Sequence, residues 1–435
     1  MSGAPFYDAL EIRPAAQREA QLFAALPHQV AHAQAHTGAF AQRLAAVNAA
    51  SINSRAALAS LPVTRKAELL QAQQASQAAR PSSAEAGQAD PFGGFSAVGW
   101  EGLVRNRGAR RVFQSPGPLY EPEGWARDYW RMARALHAAG LQAGDLVHNS
   151  FSYHLTPAGA MMEGAAEALG CTVFPAGVGN TELQLQAIAA LRPQAYIGTP
   201  GFLKTLIDKM QEQGLPVPFR KALVSGEAFP ASLRDWCLER QVQAFQCYAT
   251  ADLGLIAFET SSREGLVVDE GVIVEIVRPG SGDPVPDGEV GEVVVTTLNP
   301  DYPLIRFATG DLSAVLPGPC PTGRTNTRIR GWLGRADQSA KVRGMFVHAH
   351  HVSALVARCT EALRARLVVT GTLGQDELLL QAEVQGGPDG VPERLAERLA
   401  HHWRDLTRLR AEVQLLAPGT LPNDGRVIED RRSLA

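Results

Sequence analysis

Between residues 159 and 248 the chain switches repeatedly between two hydrophobic periods. AMMEGAAEALG and ELQLQAIAALRP place apolar residues at helical spacing, whereas CTVFPAG, AYIGTP, KALV and VQAFQCY are short, nearly continuous apolar runs. The first pattern predicts amphipathic helices and the second predicts buried strands. Strands separated by helices of this length predict a parallel sheet covered by helices, so the fold class is α/β.

The flanking segments read differently. Residues 14–46 carry Leu22, Phe23, Leu26 and Val30 at helical spacing, a helix expected to be interrupted near Pro27. Residues 58–73 read as helix after Pro62, with Thr64 as N-cap. A further helix is expected over residues 125–139, stopped by Gly140. Residues 270–297 alternate Val and Ile with polar positions around Gly, Asp and Pro turns, which predicts an antiparallel, barrel-like subdomain. Beyond residue 337 the order is strand, helix (350–366), strand, strand, helix (391–406), a small α+β unit.

Composition narrows the class. A chain of 435 residues exceeds one ordinary domain and suits one large plus one small domain. With 45% hydrophobic and 20% charged residues it can bury a sizeable core. A net charge of -3 gives no attraction to nucleic acid or to an anionic membrane, so neither is expected as a partner. The start, MSGAPFYDALEIRP, has no basic region followed by an apolar one, and Glu163 and Glu167 break the most apolar later stretch. Five cysteines without CxxC spacing argue for reduced thiols, and the expected location is cytoplasmic. A homodimer stays open. Positive charge is carried almost wholly by Arg, with lysines only at 66, 204, 209, 221 and 341.

Candidate chemistry concentrates over residues 303–347, PLIRFATGDLSAVLPGPCPTGRTNTRIRGWLGRADQSAKVRGMFV. Asp311 follows a strand in the Thr309-Gly310-Asp311 turn, and a carboxylate fixed there can accept two hydroxyl hydrogen bonds, as from a ribose. Arg335 lies within reach of a phosphate or sugar. Upstream, SGEAF (225–229) and YATADLG (248–254) follow predicted strands, where open parallel sheets bind ligands.

These motifs resemble the adenylate-forming superfamily of acyl-CoA ligases, specifically its phenylacetate-CoA ligase-like branch. RxxTGDL, GRADQxxKVRGMFV and the earlier LPVTRK each match. The resemblance implies ATP, Mg2+ and coenzyme A, with a carboxylic acid activated to an acyl-adenylate and then to its CoA thioester. An aryl or arylacetic acid is the leading substrate. It implies adenine contacts from Gly226, Glu227, Ala228 and Tyr248, phosphate contacts near Ala249 and Thr250, ribose binding by Asp311, and stabilisation of charge at the reacting phosphorus by Arg335 and Arg426 with Mg2+. Asp252 replaces the usual metal-binding glutamate, as a hard oxygen ligand; its alternative is an N-cap for the segment that follows. Phe151, Tyr153 and His154 lie where the family lines its acyl pocket, although His154 also reads as a packed or hydrogen-bonded residue or as a catalytic base. Asp337 is the implied hinge between a large domain, residues 1–336, and a mobile small one, residues 337–435, and Lys341 serves the thioester step.

Three departures weaken the pattern. The phosphate loop position reads RVFQSPGPLYEPEGW, where only Ser115 and Gly117 keep hydroxyl and glycine chemistry; a rigid surface turn is the alternative. The metal carboxylate is Asp252, one methylene shorter than the family's Glu, beside Ala249 and Ala251 in place of the usual glycine and hydroxyl, with Thr250 as the substitute hydroxyl. Arg426 stands in place of a terminal lysine, and guanidinium is not interchangeable with ammonium at a site that sets one charge between two oxyanions. Two other readings therefore stand beside the ligase: an adenylating transferase with a non-CoA acceptor, and a degenerate member that binds nucleotide or acyl ligand without full catalysis.

Overall fold

The computed structural model describes residues 5–79, 90–99, 108–115, 118–336, 338–342, 345–372, 375–390, 392, 394–422 and 426–432. Its contacts divide the chain into two units, Met1–Thr309 with Ala314–Gly331, and Gly310–Ser313 with Trp332–Ala435.

In the first unit a nine-stranded sheet carries five parallel strands at one end. They run Thr172–Pro175, Leu146–Asn149, Ala195–Gly198, Lys221–Val224 and Gln243–Thr250 in spatial order. Gly254–Glu259, Leu266–Val268, Arg328–Ile329 and Val315–Leu316 continue the sheet antiparallel. Successive strand side chains take opposite faces. Ala195, Ile197, Leu223 and Phe245 pack with the Ala158–Leu169 helix in one core. Tyr196, Ala222, Val224 and Ala244 pack with Leu203, Leu206, Ile207 and Met210 of the Pro200–Glu212 helix in another. This is the α/β arrangement expected from the alternating periods. Val272–Val277 and Gly291–Thr297 pair antiparallel in a separate four-stranded sheet that Thr64–Arg65 and the Phe307–Ser313 strand extend.

Several local expectations are corrected. The Ala15–His36 helix runs through Pro27 without interruption. The bond that proline forfeits is offset by burial of Leu22, Phe23, Leu26, Val30 and Ala33 along one face. Thr64 is a strand residue rather than a cap; its hydroxyl donates to the Ile305 carbonyl, 2.9 Å away. The Lys66–Ala78 helix begins after Arg65, whose N–H donates to Glu68. Over residues 125–139 only Ala133–Ala138 is helical, because Asp128 and Arg131 adopt positive φ values of 50° and 62°. Gly140, at φ 87°, does end that helix in the left-handed conformation.

The second unit pairs two long antiparallel strands, Ala362–Thr372 and Gln375–Val384, with parallel edges Ile428–Asp430 and Glu412–Leu416. The Leu395–Thr407 helix packs Leu395, Leu399 and the fully buried Trp403 onto them. The expected 350–366 helix ends at Arg358, and residues from Ala362 on form the first long strand. Ser339–Val342 and Met345–His348 form a separate hairpin, with Lys341 opposite Phe346. Among the described residues no helix is long and apolar enough to cross a membrane, and all five cysteines are free.

Candidate active site

In the first unit the carboxyl ends of the parallel strands gather most of the candidates. Phe151 follows the Leu146–Asn149 strand and is buried, while Gly226 follows Lys221–Val224. A Cβ at Gly226 would stand 3.9 Å from both the Phe151 ring and Thr199, so these loops touch. The Gly226 φ of 81° suits its lack of a side chain. Glu227 and Ala228 are exposed; a Glu227 oxygen accepts from the Gly201 N–H, 3.0 Å away, at the start of the Pro200–Glu212 helix.

Tyr153 Oη accepts from Asn149 Nδ2 at 2.8 Å. Burial, and then a hydrogen bond with Glu163, push its phenol upward from the ordinary range. His154 is exposed, which removes the packed-residue alternative. The segment meets the Arg111–Ser115 strand, where the Gln114 N–H donates to the Leu155 carbonyl at 2.9 Å. The loop expected to handle phosphate is thus brought beside the expected acyl-pocket segment.

The Arg111–Ser115 and Leu119–Glu123 strands form an antiparallel hairpin. Ser115 is buried, and its hydroxyl donates to Glu121 Oε1 at 2.7 Å, so it does not line an open loop. Gly117 lies outside the described residues. Asp252 is buried as well, and Lys66 Nζ donates to its Oδ2 at 3.2 Å. The Gly254–Glu259 strand follows, so Asp252 caps no helix. Its Oδ1 is buried without a hydrogen-bond partner, which fits a ligand for a hard cation. Ala249 and Thr250 end the Gln243–Thr250 strand, and Thr250 Oγ1 accepts from the Leu253 N–H at 3.2 Å. Tyr248 is half-buried against the neighbouring core.

Glu121 was not among the residues singled out from sequence. Burial, and then the charge of Asp252, push its carboxyl well above the usual carboxylate range, against the opposing pull of Ser115 and Lys66. The available signals were two glutamates, Glu121 and Glu123, within the five-residue strand LYEPE, and the scarcity of lysines, which draws attention to Lys66.

In the second unit Asp311 and Arg335 form a backbone bridge, and Arg335 Nη1 lies 3.2 Å from Asp311 Oδ1. Trp332 Nε1 donates to the same oxygen at 3.2 Å. Gly310 has φ 75°, and a Cβ there would stand 2.6 Å from Arg335 Nη2, so the guanidinium packs over the bare turn. Arg426 lines a cavity of about 360 Å³ with Arg364, Arg366, Leu421 and Pro422. Asp337 lies outside the described residues, as does the Lys341 side chain.

A fold of this kind belongs to the adenylate-forming acyl-CoA ligases. It is similar to 2-hydroxyisobutyryl-CoA ligase, crystallised in an open conformation with 2-HIB-AMP and CoA, at a TM-score of 0.82 and 24% identity over 98% of this chain and 95% of that one. Residues 152–299 match the AMP-binding enzyme family. The chain is 30% identical over 367 residues to phenylacetate-coenzyme A ligase of Thermus thermophilus, covering 76% of this chain and 80% of that protein. It is 29% identical over 351 residues to the enzyme of the same name from Aromatoleum evansii, covering 75% and 77%. The chain belongs to the phenylacetate-CoA ligase-like family of AMP-forming acid–CoA ligases. It is an ATP-dependent enzyme that activates a carboxylic acid through an acyl-adenylate to a CoA thioester, using ATP, Mg2+ and CoA.

Proposed function

We propose that the acid activated is an arylacetic or aryl acid, taken up beside Phe151, Tyr153 and His154. The observation that carries this reading is the buried Phe151 ring against Gly226 at the carboxyl ends of the parallel strands. An aromatic wall favours a flat apolar substituent on the acid. The names of the curated relatives, phenylacetate-coenzyme A ligases, support the same class.

Tyr248, Gly226, Glu227 and Ala228 are assigned to adenine, Ala249, Thr250, Ser115 and Gly117 to the phosphate side, and Asp311 with Arg335 to the ribose. Each of Ser115 and Glu227 already holds a protein partner, so each must exchange that partner to meet nucleotide. When bound, Mg2+ supplies positive charge for the polyphosphate, and Asp252 would hold it. Arg426 and Arg335 supply further positive charge, and Lys341 serves thioester formation. The small domain, residues 337–435, turns about Asp337 between the two half-reactions. The enzyme acts in the cytoplasm, without nucleic acid or membrane, as a monomer or a homodimer. A non-CoA acceptor or a binding-only role is the second reading, favoured by the withdrawal of the Ser115 hydroxyl into the hairpin.

The test is a panel of arylacetic, aryl and short aliphatic acids with ATP, Mg2+ and CoA, with thioester formation followed by mass spectrometry. The reading expects an arylacetic or aryl acid to give the highest kcat/KM. Preference for short aliphatic acids would remove it, and no thioester with any acid would favour the second reading.

A further inference from the structure

Glu121 and Asp252 come from distant parts of the sequence and share one arrangement. Each carboxylate has one oxygen held by a donor: Glu121 Oε1 by the Ser115 hydroxyl at 2.7 Å, and Asp252 Oδ2 by Lys66 Nζ at 3.2 Å. Each has a second oxygen, Glu121 Oε2 and Asp252 Oδ1, that is buried with no hydrogen-bond partner. The residues are 2% and 7% exposed, and the two carboxyl groups lie within hydrogen-bonding reach of each other. Tyr302, fully buried with an unpartnered Oη, feels both charges.

As anions the two neighbouring carboxylates cannot satisfy each other, because both are acceptors, so without a cation a proton held on Glu121 bridges the pair, and a divalent cation would take that proton's place. The donors on their outer oxygens orient them in the manner of groups that support metal-ligating carboxylates. We infer that Glu121 is a second protein ligand of the divalent cation at Asp252, so that Glu121 Oε2 and Asp252 Oδ1 bind one Mg2+ together before nucleotide arrives. The inference rests on the reading of Asp252 as metal-binding and extends it to a residue of the hairpin. No group of three or more His, Cys, Asp or Glu side chains is arranged to hold a metal among the described residues. Two carboxylates suit Mg2+, which keeps several of its own waters, better than cations that need a full protein cage. With Lys66 and the proton on Glu121 the cluster is neutral, and with Mg2+ in place of that proton it carries +1, which complements an incoming polyphosphate.

The experiment titrates the full chain with Mn2+, free of nucleotide, and reads free Mn2+ by electron paramagnetic resonance, with displacement by Mg2+ as control. The wild type should bind one Mn2+, and Glu121→Gln and Asp252→Asn should each weaken binding at least about tenfold. Lys66→Met should tighten binding several-fold, because it removes a positive charge from beside the cation. That gain of affinity cannot come from misfolding. No binding to the wild type, or no gain with Lys66→Met, overturns the inference. Weakening by Asp252→Asn with no effect of Glu121→Gln also overturns it, while leaving Asp252 as a metal ligand. If neither substitution weakens binding, the Asp252 reading falls too.

Discussion

Arg306, the arginine of RxxTGDL, is 2% exposed and is held at φ 46° inside the first unit. Its Nε donates to Glu275 Oε2 at 3.1 Å, Nη2 to the Gly282 carbonyl at 2.7 Å, and Nη1 to the Ala59 and Leu61 carbonyls. The Arg306 carbonyl accepts from the Thr64 N–H at 2.8 Å. The clamp therefore fixes the LPVT segment, Leu61–Thr64, which Arg65 alone separates from Lys66, and so sets the approach of that lysine to Asp252. Arg306→Met keeps most of the volume but strands the Glu275 carboxylate, whose burial already raises its pKa and which Arg306 pulls down. Losing one partner of a buried ion pair costs about 3–5 kcal/mol. For a unit of this size that amounts to a fall in Tm of roughly 4–7 °C. Thermal unfolding measures the fall, and hydrogen exchange should show faster exchange over residues 59–66. Adding Glu275→Gln should restore a large part of the loss, since the stranded charge is gone. An Arg306→Met protein with unchanged Tm and unchanged exchange would refute the clamp.

Other outcomes follow from single contacts. Gly310→Ala puts a Cβ 2.6 Å from Arg335 Nη2 at a φ of 75°, so it should displace Arg335 from Asp311 and raise the KM for ATP several-fold; an unchanged KM counts against that pair as nucleotide-binding. Burial pushes the Asp128 carboxyl up to about 6, so the folded state keeps a proton that the unfolded chain releases. Its contribution is complete below the unfolded pKa and is lost as pH rises from about 4 to about 6, by about 3 kcal/mol in all. Asp128→Asn should flatten that part of the stability profile, and a profile identical to wild type would contradict the assignment. Lys341→Ala should slow thioester formation more than pyrophosphate release in single-turnover experiments; equal losses would deny it a role confined to the second half-reaction.

The alternation of periods over residues 159–248 was legible because each strand and helix is specified by its own neighbours, and Gly140 marked its helix end for the same reason. The helix boundaries at 133 and 358 were not, because they depend on left-handed residues at Asp128 and Arg131 and on strand pairing from residue 362 onward. Pro27 misled in the opposite direction, since tertiary burial of one helix face outweighed a local breaker. At the site, Phe151, Gly226 and Asp252 could be placed from the ends of predicted strands. The partners that decide their chemistry could not. Lys66 meets Asp252 across 186 residues of sequence, and Glu121 reaches Asp252 only through the hairpin's fold. Ser115 kept the residue type expected of a phosphate loop, but the antiparallel pairing of its strand turned the hydroxyl inward.

The central claim is that this chain forms an acyl-adenylate despite the altered hairpin and Arg426. Exchange of labelled pyrophosphate into ATP, measured with Mg2+ and an arylacetic acid but without CoA, tests it directly, because label returns to ATP only by reversal of adenylate formation. The account predicts acid-dependent exchange that stops when the acid is omitted. ATP binding without exchange across aryl, arylacetic and aliphatic acids would contradict it.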